Sequence, residues 1–236
     1  MPRSEGTGRL GGAAVAARAA LMTACAALMT ACAALMAGCT LPFRALPLDD
    51  GRPAHSRPFR QTQDGVLLAA ELVSDDAECR AYFHEALTQD RVVPVIVRVE
   101  NISERTAVLR RERFTLRLEG EPEPVLPTAP TTVIERYQRG LGVGYLGLPV
   151  LVPYLVMRQE VARFNFELER DLRGKGLPAY LRVAPGDPPV AFALFFEVSE
   201  QAMAKLGRSP VLEVHAEIEG EEGRLGKDVR FLLSVE

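Results

Sequence analysis

The chain has 236 residues, of which 47% are hydrophobic and 25% charged, and its 28 basic and 31 acidic side chains give a formal net charge of −3. This balance argues against nucleic-acid binding, which requires concentrated positive charge. Tryptophan is absent and aromatic residues make up only 6% of the chain, so a carbohydrate site built on stacked aromatic rings is not expected.

The first 39 residues have the composition of a secretory signal. Three arginines accompany an apolar run of mostly small residues that extends from position 13 to 39. The run ends in a lipobox, in which small residues precede the cleavage site and a cysteine thiol receives the lipid: Leu35, Met36, Ala37, Gly38 and Cys39. We predict a signal peptide over residues 1–38 and lipidation of Cys39. The alternative is an uncleaved transmembrane anchor, because about 20 apolar residues span a bilayer.

Cleavage before Cys39 would change the composition of the chain. The removed part holds three basic side chains and one acidic side chain, so 25 basic and 30 acidic ones would remain, with a formal charge of −5. Cys79 would be the only other cysteine, so no intramolecular disulfide is expected and Cys79 is predicted to be a small buried residue. Thr40 rather than aspartate follows Cys39, which by analogy with enteric lipoproteins predicts delivery to the outer membrane.

Residues 39–63 contain four prolines and no periodicity, which predicts an acylated cysteine followed by a disordered tether. A folded domain is predicted over residues 64–236. It begins with a short apolar strand, 66–73, and a helix over Asp76–Leu87, in which apolar residues recur at three- and four-residue steps. His84 lies beside this apolar stripe without partners at metal-ligand spacing, and a solvated imidazole is expected.

The most regular strand of the sequence is Arg91–Glu100. Its valines alternate with other residues, so one face of the strand is expected to be buried and the other partly wet. Pro94 is expected to place the start of this strand at a sheet edge or a bulge. Two further strands are predicted over residues 106–109 and 113–118.

The pattern changes at about residues 127–178, which we predict to be a helical, glycine-rich insertion. Seventeen uncharged residues, 140–156, precede a helix predicted from residue 157 to about 175. Residues 142–147 spell G-x-G-x-x-G, but no buried strand precedes them and two prolines follow, so nucleotide binding is not expected. Burial of the segment is favoured over membrane or partner contact. The residues that would make such a contact are Gly140, Gly144, Tyr145, Leu148, Leu151 and Tyr154, and the G-x-x-x-G step from Gly140 to Gly144 would also suit self-association.

Strand patterns return after the insertion. They cover residues 179–184, 190–198, 210–219 and 228–235, and together with the earlier ones they make about seven strands. We therefore predict a mainly β fold, an immunoglobulin-like β-sandwich with the helical insertion in its middle.

No set of residues in the sequence forms a catalytic or metal-binding motif. The acidic residues Glu167, Glu169 and Asp171 alternate with arginines, which indicates a solvated, ion-paired helix face. His215 is expected on the solvent side of its strand. We expect no cofactor, no metal and no enzymatic activity, and the alternative is an envelope hydrolase or modifying enzyme whose residues meet only in the folded chain.

The order of these features resembles a group of uncharacterised proteobacterial lipoproteins with a sandwich domain. The shared features are the lipobox, the proline-rich tether, the helix containing Cys79, the strand Pro94–Asn101, the glycine-rich insertion, and Pro185-Gly186 before an aromatic strand. The resemblance implies a lipid-anchored envelope protein and supplies no catalytic residues. We therefore expect a non-enzymatic binding or scaffold module, anchored in the membrane, with an envelope protein or a second copy of the chain as its partner.

Overall fold

The computed structural model describes residues 22–23, 45–48, 60–119, 121–139, 151–206, 210–218 and 227–234, with the backbone alone for residues 151–157. The chain divides into two compact units. One comprises residues 1–42 and 142–160, and the other comprises residues 43–141 and 161–236. All the strands that the described ranges contain belong to the second unit.

One sheet has five antiparallel strands. Numbered in chain order and given in sheet order, they are β1 (Arg60–Gln63), β2 (Val66–Leu72), β3 (Val92–Asn101), β7 (Val190–Glu197) and β5 (Pro127–Thr128). Asp64 and Gly65, with φ of 49° and 78°, form the two-residue turn between the first two strands, as expected for a tight hairpin with an Asp-Gly sequence. The first strand therefore precedes residue 64, where the sequence pattern starts the folded domain.

The other sheet has four antiparallel strands. In sheet order they are β6 (Tyr180–Val183), β4 (Ala107–Arg117), β8 (Val211–Ile218) and β9 (Lys227–Ser234). The predicted strands 106–109 and 113–118 are thus one strand with an interruption. Leu109 is paired with Ala216 and Phe114 with Val214, so residues between Leu109 and Phe114 bulge out of the pairing with β8.

The two sheets share the main hydrophobic core, and the fold is mainly β. Each sheet contributes alternate residues to it, and the rings of Phe114 and Phe192 meet edge to face at 5.9 Å between the two sheets. Fully buried members include Leu68, Val95, Val97, Leu109, Phe196, Leu212, Val214 and Phe231.

Helices form a second core on the outer face of the five-stranded sheet. They are α1 (Asp76–Phe83), α2 (Pro130–Tyr137) and the C-terminal part of α3 (Leu151–Lys175), while the short α4 spans Glu200–Met203. The second core includes Phe83, Ile96, Leu168, Leu172 and Phe195. The expectation of a partly wet face on β3 is therefore wrong, because helices that come from elsewhere in the chain cover that face.

Pro94 does not lie at a sheet edge, because β3 runs between β2 and β7. The carbonyl of Pro94 accepts a hydrogen bond from the N–H of Val73 at 3.0 Å. The two main-chain groups of an antiparallel strand residue point toward the same neighbour, so the missing N–H of Pro94 faces β2. The pairing with β2 ends one residue away, at Val95, and a central strand therefore tolerates the proline.

Both predicted helices have other limits in the structure. α1 is shorter than predicted because His84, with φ of 64°, ends it, while Asp75 caps its start by accepting from two backbone N–H groups. α3 begins at Leu151 rather than at residue 157. Pro153 lies in its first turn, where an N–H has no partner within the helix and its loss costs little. Within the described ranges, no helix combines the length and the apolar character needed to cross a membrane.

Candidate functional site

The side chain of Asn165 joins two positions within the insertion, one on either side of residues 140–164. Asn165 on α3 accepts a hydrogen bond at Oδ1 from the N–H of Arg139 (2.8 Å) and donates from Nδ2 to the carbonyl of Arg139 (3.0 Å). The amide thus bonds both main-chain groups of one residue, which uses its donor and its acceptor together. α2 ends at Tyr137, two residues before Arg139. The residues on either side of 140–164 are therefore held together at one place on the domain.

Aromatic and charged side chains surround this place, which we call the insertion base. The guanidinium carbon of Arg139 lies 3.8 Å from the centroid of the Phe164 ring, and its Nη2 lies 3.2 Å from Oε1 of Glu85. The ring of His84 is 5.6 Å from that of Phe164. Phe166, on the same helix, is 66% exposed. Arginine and exposed aromatic rings are the residue types that protein interfaces favour, so the base is suited to contact with another protein.

A buried ion pair fixes α3 to α1 near the insertion base. Nζ of Lys175 lies 2.8 Å from both carboxylate oxygens of Asp171 and 2.5 Å from the carbonyl oxygen of Tyr82. Burial raises the pKa of Asp171 and lowers the pKa of Lys175, and the hydrogen bond between the two groups opposes both shifts. The predicted solvated position of Asp171 is therefore wrong, because this side of α3 packs toward α1.

The other acidic residues of α3 follow the prediction. Glu167 pairs with Arg163, and Glu169 pairs with Arg173, both at 2.9 Å and at i,i+4 spacing on largely exposed side chains. Such pairs are worth only a few tenths of a kcal/mol, about 0.3–0.5, and they indicate a solvated helix face rather than a catalytic pair.

Besides the residues of β1, residues 45–48 of the predicted tether contact the domain, and we call them the docked segment. The N–H of Leu46 donates to the carbonyl of Ala81 on α1 at 2.7 Å, and the side chain of Leu48 is buried in the second core. The carbonyl of Leu48 accepts a 2.8 Å hydrogen bond from Nη2 of Arg98, a buried residue of β3 whose Nη1 also bonds Glu71 at 3.3 Å. These residues are therefore ordered by contacts with the fold, whereas the sequence pattern predicts disorder for them.

The outer face of the four-stranded sheet carries ion pairs centred on Glu213. Its carboxylate accepts hydrogen bonds from Nε of Arg117 (3.2 Å) and Nε of Arg230 (2.7 Å), and it lies 3.1 Å from Nε2 of His215. Burial by itself would raise the pKa of Glu213, but the hydrogen bonds from His215, Arg230 and Arg117 outweigh it and lower the pKa. His215 lies on the outer face as predicted, with Nδ1 3.5 Å from Asp228. A carboxylate held ionised by three partners is a poor general base.

An open cleft of about 500 Å³ lies at the end of β7. An ion pair between Arg136 and Glu197, 3.0 Å long, forms part of its wall. The other lining residues are Gln89, Asp90, Arg91 and Val198. Because the lining combines two cations with two anions, the cleft offers no concentrated charge of one sign to a ligand.

The described ranges contain few of the residues predicted as sites. The lipidation position Cys39 and the lipobox lie outside them, as do four residues of the insertion, Gly140, Gly144, Tyr145 and Leu148. Leu151 and Tyr154 lie in the first turn of α3, where the backbone alone is described. Among the residues that the structure describes, no three histidine, cysteine, aspartate or glutamate side chains are arranged to hold a metal ion. The hydroxyl of Ser199 caps α4 by accepting from the N–H of Ala202.

Two of these contacts have signals in the sequence that strand and helix periodicity does not reveal. Arg98 is the only charged residue in the run Val92–Val99, and a charge in a buried strand needs hydrogen-bond acceptors. Asn165 lies in the middle of a helix, where an asparagine is disfavoured unless its amide points to solvent or bonds another group. Neither signal identifies the partner, because each partner is distant in the sequence.

Comparison with known proteins identifies no family for this chain. No protein-family model and no curated protein matches it. Among solved structures, the yjhA protein from Bacillus subtilis is similar over 76% of this chain and 98% of its own length, with 11% sequence identity and a TM-score of 0.37. A TM-score this low carries no information about the fold, ligand or partner of this chain.

Proposed function

We propose that this chain is a protein of the bacterial cell envelope, anchored by lipid in the outer membrane. We propose that it acts as a non-enzymatic binding or scaffold module. The lipobox that ends at Cys39 supports the anchor. The binding role is carried by one observation, the pair of hydrogen bonds by which Asn165 holds Arg139. Binding segments are typically loops that a rigid scaffold positions, and we propose this role for the domain on either side of residues 140–164.

The proposed partner is another protein of the envelope that contacts the insertion base. The stacked Arg139 and Phe164 and the exposed Phe166 support a protein partner, because these residue types combine apolar area with a charge that can pair across an interface. Self-association through Gly140 and Gly144 is the alternative for the same segment.

We also propose that the sandwich has an immunoglobulin-like topology, and the strand order supports this. The order β2-β3-β7 corresponds to strands A, B and E of such a domain, and β6-β4-β8-β9 corresponds to C′, C, F and G. β5 lies beside β7, at the place of strand D, although it comes from the chain between the strands that correspond to C and C′. In this description β1 and the helical insertion are additions.

The anchor is tested by the intact mass of the full chain extracted from bacterial membranes. We expect a mass that starts at Cys39 and includes acyl chains, and we expect the Cys39→Ala variant to remain unprocessed. A full-length mass without lipid would overturn the anchor and the outer-membrane location together.

The binding role is tested by photo-crosslinking in intact cells from two exposed positions. A photoreactive residue at Phe166 reports on the insertion base, and one at Tyr180, which is 59% exposed on β6, is the matched control. We expect one discrete product from position 166 and none of that size from 180, and we expect Asn165→Ala to abolish it in a protein of unchanged circular dichroism. A product of twice the mass of the chain would favour self-association, and identical products from both positions would contradict a site at the base.

A further inference from the structure

The docked segment shortens the connection between the lipid and the domain. Ala45 is six residues after Cys39, whereas Arg60, the first residue of β1, is twenty-one residues after it. At about 3.4 Å per extended residue, six residues span about 20 Å and twenty-one span about 70 Å. A domain connected only at Arg60 could stand well clear of a bilayer, whereas a domain connected at Ala45 must remain close to it.

The contacts of the docked segment are part of the fold rather than a loose association. Leu48 is 5% exposed and belongs to the same cluster as Phe83 and Ile96. Its carbonyl and the carboxylate of Glu71 both accept from the guanidinium of Arg98, whose side chain is 4% exposed. Undocking would remove an acceptor from a buried cation, which is costly, so the segment remains bound in the native state.

The docking position also selects one side of the domain. Leu46 bonds Ala81, near the C-terminal end of α1, and Glu85, four residues later, contacts Arg139 at the insertion base. The same end of α1 therefore contacts the docked segment, which follows the proposed lipid, and the insertion base. The other end of α1 is acidic, with Asp75, Asp76 and Glu78, and acidic side chains are repelled by anionic lipid headgroups.

We infer that the domain lies on the lipid headgroup layer in one orientation, with its helical side toward the bilayer. The C-terminal end of α1 is nearest to the bilayer, and the outer face of the four-stranded sheet is turned away from it. This orientation rests on the proposed lipid at Cys39. The helical layer lies about 10 Å from the five-stranded sheet, and the two sheets lie about 10 Å from each other. The outer face of the four-stranded sheet therefore stands about 20 Å farther from the lipid than α1.

The experiment measures how close two labelled positions lie to the headgroups of the lipidated full chain in vesicles. Arg80→Cys places a fluorescent label on exposed α1, and Leu232→Cys places one on the outer face of β9 as the matched control. Cys79 is buried and does not compete for the label, and an acylated Cys39 has no free thiol. Lipids with a nitroxide on the headgroup supply the quencher. We expect quenching at position 80 to be at least threefold stronger than at 232.

Two further variants test the cause of this difference. Leu48→Glu should undock the segment. A twelve-residue Gly-Ser insert after Leu41 should lengthen the connection, while the docked segment stays bound and the urea unfolding transition stays unchanged. Both should bring the ratio of quenching close to one. An acylated mass with equal quenching at the two positions of the unmodified connection would overturn the orientation alone. An unacylated mass would overturn the proposed anchor, and the orientation with it.

Discussion

Replacement of Asp171 by alanine should be among the most destabilising changes on α3. Lys175 would keep the carbonyl of Tyr82 and its place 5.8 Å from the centroid of the Phe83 ring, but it would lose both carboxylate contacts while its side chain is only 10% exposed. Removal of one partner of a buried ion pair costs about 3–5 kcal/mol. In a domain of this size each kcal/mol lowers the melting temperature by about 2–4 °C, so we expect a decrease of about 10 °C.

A double variant separates the charge from the packing. Asp171→Leu combined with Lys175→Met removes both charges and keeps most of the volume, and such replacements of buried pairs are often neutral or stabilising. Urea unfolding of Asp171→Leu alone, Lys175→Met alone, the double variant and the unmodified chain gives the four free energies of unfolding that a double-mutant cycle needs. The double variant should recover most of the loss caused by Asp171→Ala. A loss below about 1 kcal/mol for Asp171→Ala, or a double variant that is no more stable than it, would refute the role of Asp171 in neutralising a buried cation.

Three further predictions concern other parts of the fold. Gly176→Ala would place a Cβ 2.4 Å from Cγ of Pro130, so urea titration should show a loss of about 1–3 kcal/mol in the free energy of unfolding. Gly174→Ala, on open helix surface, should leave this free energy unchanged or raise it by about 0.5–1 kcal/mol. Equal effects of the two variants would contradict the close approach at Gly176. Burial raises the pKa of Cys79 to about 11. A disulfide reagent at pH 8 should therefore react with this thiol only after the chain is unfolded in urea. Prompt reaction of the native chain would contradict the burial of Cys79. The pKa of Glu213 is lowered from its ordinary value of 4.5, so its ion pairs stabilise the fold above that pH and are lost as the pH falls through the native pKa. The loss of unfolding free energy caused by Glu213→Gln should therefore be largest near pH 7 and should shrink as the pH falls through the native pKa, and a loss that does not change with pH would mean that the charge is not responsible.

Most of the sandwich could be predicted from the sequence because its signals are local. A period of two residues together with turn residues indicates a strand without reference to the rest of the chain, and β3, β8 and β9 have that pattern. β7 is instead a short continuous apolar run bounded by turn residues, which also indicates a buried strand. β1 and β5 lack it, because β1 is only half-buried and β5 has two residues. The pair Asp64-Gly65 was the available signal for β1, since this dipeptide favours a two-residue hairpin turn.

The candidate site was much less predictable because its contacts join distant parts of the chain. Arg98 meets Leu48 across 50 residues, and Asn165 meets Arg139 across 26. Periodicity reports only that a face is apolar, and it does not show which element covers that face. The second face of β3 was wrongly predicted for this reason, since α1, α2 and α3 cover it. The solvated position predicted for Asp171 was wrong because its side of α3 packs toward α1.

Arg98 shows why the region before the first strand cannot be treated as a passive connection. An arginine at the centre of an apolar strand would destabilise the fold if its guanidinium had no acceptors, and one of its acceptors is the carbonyl of Leu48. A free tether could have any polar sequence of sufficient length, but this segment must supply a carbonyl at one position and an apolar side chain at the same residue. In the proposed orientation, the chain before β1 therefore has two physical requirements, burial of Leu48 and reach from Cys39, and both would hold α1 close to the membrane.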